Sequence, residues 1–472
     1  MVLTTDSNGI QIKRYAGKVV VHKIPSTLTG DVILPPDITH IQKTSFVGCN
    51  NITSLTLQDH VKTINTGAFD HCTNLEKIIV TRDNKYFESD HKGVLFTKGR
   101  EWLVYAPPKL SGLYIVPNGV KHIDKHAFKN CANMTTLMLA QTVTTIAEGA
   151  FENCAGLLHM IIPKNVTHIK PGAFVGCSQL CGVTVASDND SFASEDGALF
   201  NKDKTELLYV PATFVGQQGK KDGRYQIPES VAYIEARAFC GCKEIKEIIL
   251  PHWLADFGER PFEGCSSLET VYFSSDMLGC YDRIFEGCGN LQKRYIRDPH
   301  GVIYNLDTRK IEHVWKDIYR AFLENIVERI EDNVFTNRTH LATVTIPQSV
   351  NYIAEAAFKG CKNLTMFWVA PENESFYTDE HGVLFRKGKQ NIALLRAPSN
   401  LAGNYCVPDG VTHIASYAFE SCPQLAKVTI PKSVWTIRSQ AFVDCPNVTI
   451  CAPARSEAEK FAMSNNITFA TV

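Results

Sequence analysis

One phenylalanine recurs at a fixed step, and that step rules out an ordinary closed core. Phe128, Phe151 and Phe174 stand 23 residues apart, as do Phe46 and Phe69, then Phe239, Phe262 and Phe285, then Phe335 and Phe358, then Phe419 and Phe442. Each sits in the same phrase, whose cleanest copy runs Val143-x-x-Ile146, Ala150-Phe151, Cys154, Leu157, Met160 and Ile162. The phrase appears twelve times in five groups. A period in the twenties with one short apolar strand per unit marks a stack of coils, each burying its apolar face against the next. Length alone, at 472 residues, would suggest about three globular domains. A stack that grows coil by coil overrides that expectation.

The pattern predicts an α/β repeat, a leucine-rich-repeat solenoid of twelve coils of about 23 residues, mostly β with short helical turns. Within a strand, Leu55 and Leu57 point inward while Ser54 and Thr56 point out. The Ala-Phe pair falls in a short turn or single helical turn on the opposite wall, with the rings stacked coil on coil. Eleven of the sixteen cysteines, Cys154 among them, share the slot three residues after the Phe. One ladder of equivalent thiols reads as small buried packing residues rather than as disulfides or metal ligands. The coil of Phe335 carries Arg338 in that slot, so a kink, bulge or solvent gap is expected there.

Between the groups a second phrase intervenes: Asn84, Phe87, Gly93-Val94-Leu95-Phe96, then Leu103-Val104-Tyr105-Ala106-Pro107. It returns from Asn189 to Pro211 and from Asn373 to Pro398, with Lys98-Gly99, Lys202-Asp203 and Lys387-Gly388 at hairpin spacing. A degenerate copy follows Gly301. The expected organisation is a β cap over residues 1–30 and a solenoid over 31–451. Hairpin modules interrupt it at about 81–119, 186–230, 297–326 and 370–410, and a helical cap at 452–472 closes it. The end is marked by Ser456-x-x-Glu459, a capping box.

Chemistry finds little purchase. A net charge of −1 argues against nucleic acid as the partner. No G-x-x-x-x-G-K-[ST], G-x-S-x-G or H-E-x-x-H occurs, and no cofactor, catalytic residue or metal site is expected. His40, His122, His168 and His413 share one slot, but Thr145 separates His122 from His168, so they read as surface polar positions. Cys181, Cys240 and Cys280 lie off the ladder without a neighbour that would activate them. No apolar run is long enough to span a membrane. With no signal-peptide pattern in Met1 to Gly9, the chain reads as cytoplasmic, the alternative being secretion or surface display by a non-classical route.

The outward strand positions are the freest. A solvated face should be charged, yet Ile79, Met138, Ile161, Ile249, Tyr272, Tyr295 and Trp368 fall there, as if along one sheet. Such residues make binding hot spots. The expected function is a non-enzymatic scaffold that binds a protein partner on this face, centred on Tyr272, Tyr295 and Trp368. The competing reading is that the hairpin modules or curvature cover these side chains.

The repeat phrase, the Gly-Val-Leu-Phe hairpin phrase and the ending Ser456-Glu-Ala-Glu-Lys-Phe-Ala462 together resemble the BspA-like leucine-rich-repeat family, over about residues 25 to 472. The resemblance implies a repeat scaffold with no catalytic residues. It also implies, as an alternative function, an exported cell-surface adhesin or host-interaction protein.

Overall fold

A computed structural model describes residues 2–213, 222–279, 281–388 and 391–472. The chain forms two compact units, Met1–Val271 with Leu278–Gln292, and Tyr272–Met277 with Lys293–Val472. Each is built from solenoid coils.

In the first unit each coil lays down one long strand and one two-residue strand. The long strands Gly112–Ile115, Met134–Met138, His159–Ile162 and Gly182–Val185 make one parallel sheet. The short strands His122–Ile123, Thr145–Ile146 and His168–Ile169 make another, entered by Trp102–Tyr105. Thr136 pairs with His159 and Thr145 with His168, so one sequence period is one rung. The third wall is the Phe corner. Its residues are turns in most copies, with a single helical turn, Tyr281–Ile284, before Phe285; left-handed backbone brackets most of the rings, as Gly149 (φ 60°) and Asn153 (φ 60°) flank Phe151. Glycine and asparagine tolerate that conformation best. Phe151 N–H donates to the Ala173 carbonyl at 2.9 Å and Asn153 N–H to that of Val175 at 2.8 Å, tying each corner to the next.

The rings stack as expected. Phe128 and Phe151 lie 5.6 Å apart, Phe151 and Phe174 5.5 Å, and Phe262 and Phe285 5.1 Å. In the second unit Phe335 stacks on Phe358 at 5.4 Å and Phe419 on Phe442 at 4.7 Å. The count of twelve coils is too low, however; about nineteen occur among the described residues. The hairpin modules supply tyrosines to the same stack, so their coils carry no phenylalanine signal. Tyr105 packs on Phe69 at 5.2 Å, Tyr114 on Phe128 at 5.9 Å and Tyr209 on Phe174 at 5.1 Å.

The cysteine ladder has a specific task. The Cys154 thiol donates to the Phe128 carbonyl at 3.0 Å, Cys177 to Phe151 at 3.2 Å and Cys361 to Phe335 at 3.0 Å. Each S–H thus satisfies a carbonyl one rung back. The cysteines among the described residues are free thiols, and burial pushes Cys72 and Cys177 up to about 12. Arg338 does the same work by other means. Its Nε and Nη2 donate to the Val314 carbonyl at 3.2 and 2.8 Å, and Nη1 to that of Thr336 at 3.1 Å. The kink or bulge expected at Arg338 is absent, since Arg320–Phe322 pairs with Thr343–Ile346 without a register shift. A half-buried guanidinium with carbonyl acceptors carries little desolvation cost.

Each module is a meander. Phe87–Ser89 pairs antiparallel with Leu95–Thr97, which pairs antiparallel with Trp102–Tyr105. Asn84 anchors it: Nδ2 donates to the Gln58 and Val61 carbonyls, and Oδ1 accepts from the Tyr86 and Phe87 N–H groups. Asn189 and Asn373 repeat this arrangement. The module turn also closes a sheet. The Gly93 carbonyl accepts from Ile78 N–H at 3.1 Å, and a Cβ at Gly93 would stand 2.5 Å from Lys77 Cα. Glycine is required there by both φ (74°) and space.

Phe151→Ala removes the ring contacts to Phe128 and Phe174 together. The expected loss is about 3–5 kcal/mol, read from the urea midpoint of the unit.

Candidate partner-binding face

Strand alternation decides which side chains reach solvent. Along His159–Ile162, Met160 and Ile162 are fully buried while His159 and Ile161 are exposed, because successive Cβ atoms point to opposite faces. Register then sets the neighbours. Ile115 (57% exposed) pairs with Met138 (53%), and Ile161 (56%) lies on the next strand, two residues beyond the Thr136–His159 pair. Strands about 4.8 Å apart place these three side chains in one continuous apolar row. Leu113, also exposed, lies on the same strand as Ile115. A second row of the first unit runs Ile33, Thr56, Ile79 across Gly30–Ile33, Ile52–Leu57 and Lys77–Val80, with both isoleucines exposed.

In the second unit Phe322, Thr345 and Trp368 lie side by side on Arg320–Phe322, Thr343–Ile346 and Met366–Val369. Trp368 is 52% exposed, and Met366 and Phe322 are exposed with it. Tyr272 and Tyr295 stack on each other, centroids 5.0 Å apart at 20°, and both are half-buried.

The predicted residues therefore do not form one row. Met138 and Ile161 come together, Ile79 lies in another sheet of the same unit, and Tyr272 meets Tyr295. Trp368 belongs to a three-stranded sheet separate from the one containing Tyr295. The sheets are short because a module turn caps the edge strand, as Gly93 does at Ile78 and Gly197 at Val183 (2.9 Å). Ile249 is a correction. It is 3% exposed and flanked by buried Ile248 and Leu250, so this strand is covered on both faces and presents no isoleucine to solvent. An uninterrupted apolar run is the pattern of such a strand, in place of the alternation assumed for it. The modules leave Ile79, Met138, Ile161 and Trp368 uncovered.

Sequence reading missed Ile33, Leu113, Ile115 and Phe322; Met366 follows from the same alternation that places Trp368 outward. Most of these lie on strands that follow a cap or a module, outside the 23-residue phrase. The alternation Leu113, Tyr114, Ile115, Val116 carried the signal.

A sequence profile described as the BspA type leucine rich repeat region matches in six copies, over residues 26–91, 110–214, 223–306, 316–379 and 400–468. The chain belongs to the BspA-type leucine-rich-repeat family. No curated protein matches it in sequence. Among solved structures it is similar to a leucine-rich cell surface protein of Faecalibacterium prausnitzii, at 21% identity over 78% of this chain and 95% of that one, TM-score 0.42. It is also similar to the pneumococcal vaccine antigen PcpA, at 16% identity over 100% and 98%, TM-score 0.37. A leucine-rich repeat protein of Bacteroides ovatus is 17% identical over 98% of both chains, TM-score 0.30.

The BspA-type coils leave the other candidates apart. Thr145 sits in register between His122 and His168, and among the described residues no cluster of three metal-ligating side chains occurs. His122 packs tilted against Trp102 at 4.2 Å, and His413 meets Trp435 edge-to-face at 4.5 Å. Cys181 is exposed, Cys240 is half-buried with its thiol pushed up by burial, and Cys280 lies outside the described residues. No helix among the described residues is long and apolar enough to cross a membrane.

Ile161→Ala should change stability by no more than about 0.5 kcal/mol, whereas Ile249→Ala should cost about 2–5 kcal/mol. Denaturant melts of the two variants, compared side by side, check the assignment of faces.

Proposed function

We propose that this chain is a non-enzymatic interaction scaffold that holds a protein partner on the outward faces of its long-strand sheets. One observation carries the reading: Ile115, Met138 and Ile161 lie adjacent in register, each more than half exposed, on rigid strands. Exposed apolar rows of this kind are costly to leave in water and gain by being covered. Family membership supports a scaffold role, and Phe322 with Trp368 supplies a comparable surface in the second unit. Tyr272 and Tyr295 add a stacked aromatic pair whose half-exposed edges suit a polar rim. Replacing Ile115, Met138 and Ile161 by Ser, and separately Tyr272, Tyr295 and Trp368, should abolish capture of the native partner while circular dichroism and melting are unchanged. Undiminished capture by both triple variants would overturn the face assignment.

The second reading is display at the cell surface as an adhesin, which family membership favours. Protease shaving of intact cells separates the two. A displayed chain is cleaved, and an internal one survives.

A further inference from the structure

The three-stranded sheet of the second unit has a relief that the apolar row of the first unit lacks. Its outward positions are Arg320 and Phe322 on Arg320–Phe322, Thr343 and Thr345 on Thr343–Ile346, and Met366 and Trp368 on Met366–Val369. Register aligns them in two columns, Arg320–Thr343–Met366 and Phe322–Thr345–Trp368. Long side chains therefore stand on the two outer strands, all four exposed, and a half-buried threonine lies between them in each column. The result is a trench with an aromatic ring on either bank. In the first unit the middle of the row is Met138, as long as its neighbours Ile115 and Ile161, so that row is level.

Each part of the trench is held in place. Leu323 N–H donates to Thr345 Oγ1 at 3.0 Å, and that hydroxyl donates to the Ala321 carbonyl at 3.3 Å, so the floor spends its polar group on the edge strand. The His300 ring packs against Phe322 at 5.1 Å and backs it from the module turn. Arg320 lies over the Tyr319 ring, 5.8 Å from its centroid, and no ion pair to it occurs among the described residues. Of the six outward positions it alone is charged. The trench is therefore complementary to an apolar ligand that carries negative charge on one side. Its pitch narrows the choice. Phe322 and Trp368 are two rungs apart, about 9–10 Å. A polyproline II segment repeats every three residues, about 9 Å. A β-strand repeats on one face at about 6.7 Å and is out of step. A helix, about 10–12 Å across, is too wide to enter between the banks.

We propose that this trench takes a proline-rich segment of a protein partner, in polyproline II conformation, with an acidic residue between its prolines. The proposal rests on the reading of the long-strand sheets as partner-binding faces, and it names the ligand class for the second unit. Prolines one turn apart lie on Phe322 and Trp368, the mode in which aromatic-lined grooves take such segments. The chain between them crosses above Thr345, where the short side chain leaves room. Of the two intervening residues, one projects toward Arg320, and a carboxylate there meets the guanidinium. Little conformational entropy is lost, because a proline-rich chain is already extended in solution.

The test titrates the full chain by calorimetry with a capped peptide of Pro-Glu-Pro repeats. Saturable binding is expected, with none to a Gly-Glu-Gly counterpart and weaker binding of a Pro-Lys-Pro one. Phe322→Ser and Trp368→Ser should each weaken it at least about tenfold, and Arg320→Gln should remove the preference for Glu over Lys. Trp435→Ser, which removes a comparably exposed indole outside this sheet, should change nothing. No binding of the Pro-Glu-Pro peptide, equal binding of Gly-Glu-Gly, or binding that survives loss of both aromatics overturns the proposal. Capture of the native partner by the Phe322→Ser, Trp368→Ser double variant is measured alongside. Lost capture, with a wild-type chain that ignores the peptide, overturns the proline-rich class and leaves the face assignment standing; undiminished capture overturns both for this unit. Should the variants fold poorly, the three peptides on the wild-type chain decide the matter.

Discussion

Ring-on-ring contact at the Phe corner is the constraint from which the rest follows. A ring every 23 residues obliges each coil to return to the same place, and Phe151 meets Phe128 and Phe174 at 5.6 and 5.5 Å. Stacked aromatic pairs contribute roughly 0.5–1.5 kcal/mol beyond the area they bury. Repetition extends that gain along each group of coils. The corner must turn tightly enough to present the ring, and left-handed Gly149 and Asn153 supply the turn. A turn so tight leaves a carbonyl facing the next rung, and that rung's cysteine, three residues after its own ring, satisfies it, as Cys154 does for Phe128. Phenylalanine, glycine or asparagine, and cysteine therefore recur together for one geometric reason.

The modules interrupt the phrase, and the first two extend the ring stack that precedes them. Tyr105 and Tyr209 take the ring position, and Asn84, Asn189 and Asn373 bind the carbonyls left at each entry. Where a module departs from this pattern, polarity enters the stack. Arg338 is absorbed by carbonyl acceptors, whereas Arg396 is ion-paired with buried Glu420 and retains buried N–H groups without partners. The two arginines look alike in sequence, each a cation in an apolar slot. They differ in whether the previous coil offers an acceptor, which depends on chain paths about 24 residues away for Arg338.

Much of the fold was legible because a strict period is a property of the chain itself. The coil count was not, since tyrosine replaces phenylalanine in the coils that the modules build. The candidate face was legible only in part. Met138 and Ile161 follow from alternation, but Ile115 is on the strand after a module, and Ile249 lies in a run buried on both sides. Tyr272 and Tyr295 were rightly placed near each other, while Trp368 was wrongly placed in their sheet.

The sequence by itself determined the rung: which residues face inward, where the corner turns, and why cysteine follows the ring. Those are local matters, set by side-chain periodicity and by backbone regions that only a few residues tolerate. Only the tertiary structure decided which outward side chains lie side by side and which are covered. Edge strands end where a module turn such as Gly93 accepts the free N–H, and that pairing joins residues no local pattern connects. The same holds at the last rung. Cys445 has the sequence surroundings of its siblings, and it is less buried because the helix Glu457–Ser464, rather than another Phe coil, packs on its rung.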